Sequence, residues 1–199
     1  RLTIVADGFQ VWSLDLDSET SSLVSPNGFY PVWTREGTEL FYGTTRNQNF
    51  DLMRVPANLS RPEVPLLDWE DNLRSAEIAA DGSFIFRQEV RDKGMDLWLW
   101  PDVDDSSTIT PLLTGPDDEL GAAVSPDARW LAYVSELSGR DEVYVTTFPT
   151  PGARIQISSD GGTSPTWSAD GGEIFYQDGD AMIAARVDAC DGFRVLARE

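Results

Sequence analysis

The sequence predicts an all-β fold, a β-propeller of four-stranded antiparallel blades, and three observations predict it. The chain repeats itself: Thr34-Arg35-Glu36-Gly37, Ala79-Ala80-Asp81-Gly82, Ser125-Pro126-Asp127-Ala128 and Ser168-Ala169-Asp170-Gly171 are equivalent turns spaced 45, 46 and 43 residues apart. Each copy holds four short apolar or alternating runs bounded by Gly, Pro, Asp or Ser, the pattern of strands rather than helices. No stretch sustains a 3.6-residue period, and Pro or Gly interrupts most windows long enough for a helix. Four-stranded units at a period of about 40 to 50 residues are propeller blades, because a small sheet buries both faces only by stacking on its neighbours.

Taken in order, the units run approximately over 1–29 (partial), 30–73, 74–119, 120–162 and 163–199, all within one propeller domain spanning 1–199. The partial copy supplies Leu2-Thr3-Ile4 and Val11-Trp12-Ser13-Leu14. Just before the four turns stand Trp33, Ile78, Val124 and Trp167; six to eight residues after each turn begins come Leu40-Phe41-Tyr42, Ile85-Phe86-Arg87, Leu131-Ala132-Tyr133 and Ile174-Phe175-Tyr176. The third strands follow as Asp51-Leu52-Met53, Asp96-Leu97-Trp98 and Glu142-Val143-Tyr144, and the last copy reaches Ala181-Met182-Ile183 early through the short loop Gln177 to Asp180. Asp and Gly at the turns supply the local hydrogen bonds and positive φ of tight hairpins, which makes them structural rather than catalytic. Trp33, Trp167, Tyr42, Tyr133 and Tyr176 recur at matching places and are expected to fill the wedges between twisted sheets. Trp98 and Trp100 share one face of a strand and Trp69 falls in a loop, so these three are candidates for exposed anchors. Four full units and one lacking its inner strand amount to about five blades, and because propeller rings close by pairing strands from the chain ends, residues are expected before Arg1.

Charge and composition exclude whole classes of function. With 15 basic against 34 acidic side chains the net charge is −19, which repels phosphate backbones and anionic headgroups; with no basic stripe, neither nucleic acid nor a membrane surface is an expected partner. No apolar run approaches the roughly 18 residues of a membrane span. The absence of histidine removes the commonest general base, the Ser-His-Asp device and imidazole metal sites. Carboxylate-only chemistry such as glycoside hydrolysis survives, since it needs only two well-placed acids. Cys190 has no partner for an internal disulfide. The acidic runs Asp102, Asp104, Asp105 and Asp117-Asp118-Glu119 are the best calcium candidates, but neither has the spacing and glycine of an EF-hand loop, so no cofactor or metal is expected.

At the third turn the run Val124-Ser125-Pro126-Asp127-Ala128-Arg129-Trp130-Leu131-Ala132-Tyr133, followed by Glu142-Val143-Tyr144-Val145, resembles the WD40-like repeat of TolB-type β-propellers. From Ser125 to Val187, with Gly139-Arg140-Asp141-Glu142 and Gly161-Gly162-Thr163-Ser164-Pro165-Thr166-Trp167-Ser168, the chain is similar to propellers at the C-terminal end of bacterial serine/threonine protein kinases. The resemblance implies a six-bladed, non-catalytic ring used for protein interaction or sensing, tethered to an upstream kinase and placed on the extracytoplasmic side. The kinase motifs themselves are absent from this sequence.

Binding chemistry is expected on the connections between second and third strands, Thr44 to Phe50, Glu89 to Met95 and Ser135 to Asp141, because loops vary without cost to the core. They carry Arg46, Asn47, Arg91, Lys93, Arg140 and Asp141, with four cations on an otherwise negative protein. The bland alternative is that these cations pair with Glu89, Asp92, Glu136 and Asp141 at the rim. The function expected is binding of a protein or peptide ligand within a bacterial signalling protein; the alternative is a propeller associated with an enzyme, either gating a serine peptidase or acting on glycans through paired carboxylates.

Overall fold

The computed structural model describes residues 2–6, 9–46, 49–67, 72–90, 94–190 and 192–199. They form five antiparallel sheets in chain order. The first has three strands, β1 (Leu2–Ala6), β2 (Gln10–Asp15) and β3 (Thr20–Ser25). The others have four each: β4 (Gly28–Trp33), β5 (Glu39–Arg46), β6 (Asn49–Pro56) and β7 (Val64–Pro65); β8 (Asn72–Ile78), β9 (Phe84–Val90), β10 (Gly94–Trp100) and β11 (Thr110–Leu113); β12 (Glu119–Val124), β13 (Trp130–Ser135), β14 (Glu142–Thr147) and β15 (Ile155–Gln156); β16 (Thr163–Trp167), β17 (Glu173–Asp178), β18 (Ala181–Asp188) and β19 (Arg194–Arg198). Strands β4, β8, β12 and β16 each contact the next in that series, so the first strand of every complete sheet lies at the shared axis. This is the blade arrangement of a β-propeller.

Between successive sheets lies one apolar layer, and the period of two in the strands explains how each sheet feeds two layers. Leu40 and Tyr42 join Val11 and Met53 on one side of β5, while Phe41, between them, joins Phe84, Phe86 and Trp100 on the other. In β13, Leu131 and Tyr133 pack with Ile85 and Leu97, and Ala132 and Val134 with Ile174 and Tyr176. Tyr42, Tyr133 and Tyr176 are buried, as their recurrence predicts, and Trp33 and Trp167 pack against the same layers. Trp167 Nε1 also donates to Ala123 O of the preceding sheet at 3.1 Å. Trp98 and Trp100 are not exposed anchors: both pack between the second and third sheets, and Trp100 Nε1 donates to Asp105 O at 3.0 Å. Trp69 lies outside the described residues.

The turns are built as the sequence suggests. Ser125 Oγ donates to Asp127 and accepts from Trp130 N, and Ser168 Oγ treats Asp170 and Glu173 N alike. Gly37, Gly82 and Gly171 have positive φ, and at the equivalent place Ala128 is held at φ 55°. One turn departs from the others. Thr34 N, Ser125 N and Ser168 N each bond a carbonyl five residues on, whereas Ala79 N bonds Ser83 O, four residues on. The third sheet therefore pairs Ile78 with Phe84, where the others pair Trp33 with Leu40, Val124 with Leu131 and Trp167 with Ile174. By face, Phe84-Ile85-Phe86 occupies the place of Leu40-Phe41-Tyr42, correcting the alignment that puts Arg87 over Tyr42.

Candidate functional site

Two families of connection meet at one rim. The loops between second and third strands are tied to the links between sheets: Phe50 N donates to Asn72 Oδ1, Met95 N to Asp118 Oδ1 and Gly162 N to Asp141 O, at 2.9 to 3.0 Å. Toward this rim the axis holds a cavity of about 440 Å3, bounded by β4, β12 and β16 and by Arg87, Val134 and Asp141.

The first strands of the second, fourth and fifth sheets shape this cavity through a backbone feature that the third sheet shares in part. The first strand of each complete sheet carries one extra residue against its second strand, between Phe29 and Val32, Ser75 and Glu77, Leu120 and Ala123, and Thr163 and Thr166. Such a bulge leaves a residue outside the ladder and re-aims its neighbours. At the first bulge residue Tyr30, Gly121 and Ser164 have φ of 49°, 51° and 52°, a conformation that costs non-glycine residues about 1 to 2 kcal/mol. All three line the cavity.

At the fourth residue of each second strand, counted from the first ladder pair after the turn, the pairs are Phe29–Gly43, Arg74–Arg87, Leu120–Val134 and Thr163–Gln177, with Ser75–Phe86 intervening before the bulge in the third sheet. In the third sheet alone both partners are cations, placed directly opposite each other where like charges repel. Arg74 stacks on Phe50 with its guanidinium carbon 4.6 Å from the ring centroid, and its Nη2 lies 3.4 Å from Glu89 Oε2. Arg87 stacks on Tyr30 at 4.9 Å. Among the described residues Arg87 has no carboxylate partner, and the Nε atoms of Arg74 and Arg87 are buried without a hydrogen-bond acceptor. Burial pulls the Arg87 guanidinium below its ordinary value; Tyr30 opposes this and the Arg74 charge adds to it. Beside the axial cavity, sharing Tyr30 with it, is a cleft of about 330 Å3 walled by Val5, Phe9, Phe29, Phe50 and Arg74. Phe9 is 61% and Val5 45% exposed.

The residues expected from the loops are distributed differently. Arg46 ends β5; its side chain, together with Asn47, Arg91 and Lys93, lies outside the described residues. Arg140 bonds neither Glu136 nor Asp141 side chains but donates to Glu142 Oε1 at 2.7 Å and to Ser159 O at 2.6 Å, bracing the fourth sheet. Those bonds and Ser158 hold the Glu142 carboxyl below its usual range against the opposing effect of burial. Asp141 reaches the cavity, with Oδ1 buried and unpartnered among the described residues. It is the one carboxylate among the described lining residues. Sequence reasoning missed Arg74, Arg87 and Tyr30, although an arginine inside two apolar runs was a usable signal.

The acidic runs serve the backbone. Asp105 Oδ1 accepts from Ser107 N at 3.0 Å, capping the short 3-10 turn Ser106–Thr108, and Asp104 pairs with Arg54 at 2.8 Å. Among the described residues no three acidic side chains converge as a metal site would require. Two carboxyls are pushed up to about 7 by burial: Glu77, just past a bulge, and Glu119, whose side chain is 1% exposed and 3.8 Å from Arg154.

No protein-family model matches the chain, and no curated protein matches it. Solved structures do. TolB from Acinetobacter baumannii superposes with a TM-score of 0.72 at 18% identity, over 94% of this chain and 48% of that one. A putative TolB from Agrobacterium tumefaciens gives 0.72 at 17%, over 95% and 74%. A chain of a nidogen/laminin complex gives 0.68 at 11%, over 89% and 67%. An enzyme shares the shape as well, a gluconolactonase from Xanthomonas campestris at 0.67 and 14%, over 90% and 66%. This chain thus spans about half the length of the Acinetobacter TolB chain, and the likeness is one of fold: a TolB-like β-propeller.

Proposed function

We propose that this TolB-like propeller is a non-catalytic interaction or sensor module that binds a protein or peptide ligand at its axial cavity, as part of a larger bacterial signalling protein. The observation that carries the reading is the cavity itself. Its size suits a few side chains of a peptide. Its wall mixes apolar surface (Val32, Leu120, Val134) with hydroxyls (Ser164, Thr163) and one arginine, the composition of a recognition site. Hydrolysis by paired acids needs a second carboxylate about 5 to 10 Å from the first, and Asp141 stands as the one acid among the described lining residues. The TolB and nidogen/laminin structures, a propeller-bearing complex among them, lend the protein-binding reading support from shape alone.

The test is a peptide-display selection on the folded domain, with Thr163→Trp as counter-selection. Thr163 is half-buried at the cavity wall, so an indole there occupies the space without entering an apolar layer. Peptides that enrich on the native domain and are lost on T163W support the axial site. Equal enrichment on both removes the cavity from the function.

A further inference from the structure

We infer that Arg74 and Arg87, with Tyr30 and the adjoining aromatic cleft, form a subsite for a single carboxylate attached to an apolar or aromatic group, such as the C-terminal residue of a peptide. This deepens the reading of the propeller as a binding module and rests on it.

Four observations converge. Arg74 and Arg87 stand directly opposite each other in one ladder pair, an arrangement of like charges that costs stability and that a further anion would relieve. Arg74 has a partial counter-charge in Glu89, whereas Arg87 hydrogen-bonds the Tyr30 side chain but has no carboxylate among the described residues, and both Nε donors are buried and unused. A mostly buried cation with no counter-charge beside it is costly to keep, and a carboxylate accepting from a guanidinium fork recovers that cost. The rings of Tyr30 and Phe50 fix both forks by stacking, so the donors are set before a ligand arrives. Beside them, Phe9, Phe29 and Val5 offer an apolar cleft of about 330 Å3. The net charge of −19 selects further: it repels a polyanion, whereas one carboxylate on an apolar body pays little of that repulsion and gains both contacts.

The test is titration calorimetry on the folded domain with N-acetyl-Ala-Ala-Ala-Phe as the free acid, the same peptide as the C-terminal amide, and 3-phenylpropionate. The free acid is expected to bind at least about ten-fold more tightly than the amide, roughly the worth of one charge-assisted hydrogen bond. Arg87→Gln is expected to bring the acid down to the amide's affinity, and Arg87→Lys, which keeps the charge but loses the fork, to recover only part. Because acid and amide are compared on the native protein, the result does not depend on either variant folding. Phenylpropionate binding as tightly as the peptide acid supports the subsite and assigns it to a free organic acid. Acid and amide binding alike overturns the subsite and leaves the peptide-binding module standing. No binding by any probe up to about 1 mM also overturns it, while the display selection with T163W judges the wider reading separately.

Discussion

Glu119 is expected to make the propeller's stability fall as pH rises from about 4.5 to about 7. Its side chain is 1% exposed on β12, Oε2 is buried with no hydrogen-bond partner among the described residues, and Arg154 is 3.8 Å from Oε1. Burial outweighs the arginine and the Ser135 hydrogen bond, raising the carboxyl from 4.5 to about 7. A folded-state value above the unfolded one means that the native protein holds a proton the unfolded chain has released. The contribution is fully present below pH 4.5 and is lost as pH rises through 7. At about 1.4 kcal/mol per pH unit the whole loss is about 3 kcal/mol, a large part of the roughly 5 to 15 kcal/mol that holds a domain folded. Glu119→Gln stays neutral throughout, so the stability of the native protein minus that of E119Q is expected to drop by about 3 kcal/mol between pH 4.5 and 8.5. Urea unfolding followed by tryptophan fluorescence at four pH values measures it. A difference constant to within about 0.5 kcal/mol, or one that grows with pH, refutes the argument.

Two further outcomes follow from the blade architecture. Ala128 holds a φ of 55° where the other turns have glycine, so Ala128→Gly is expected to raise stability by about 0.5 to 1 kcal/mol, the relief of strain being partly offset by the freedom glycine has when unfolded; an unchanged urea midpoint counts against it. Ser158 Oγ, buried, accepts from Val143 N at 2.7 Å and donates to Glu142, so Ser158→Ala is expected to cost about 1 to 3 kcal/mol and to raise the Glu142 carboxyl, read by denaturation and by NMR titration of the glutamate.

The repeat made most of the fold legible. Turn residues and inter-sheet aromatics are local necessities that recur in every copy, so Asp127, Asp170, Tyr133 and Tyr176 could be assigned from spacing alone. Arg74 and Arg87 could not be brought together that way. Their pairing depends on a turn one residue shorter than its counterparts, which moves every later side chain of β9 to the other face. Counting residues placed Arg87 over a buried tyrosine; counting ladder pairs places it over Gly43, Val134 and Gln177. Among the loop cations, Arg140 was visible as a charge, but its engagement with Glu142 and Ser159 depends on how the loop folds back, which no local pattern records.

The bulge in each inner strand has an evolutionary corollary. Since the main-chain kink is common to all four complete copies, the two residues beside it can diverge without disturbing how the copies stack. Phe29-Tyr30, Arg74-Ser75, Leu120-Gly121 and Thr163-Ser164 are four settings of one position. The side chains presented at these positions are thus editable one copy at a time, by point substitution at an address that the architecture keeps fixed.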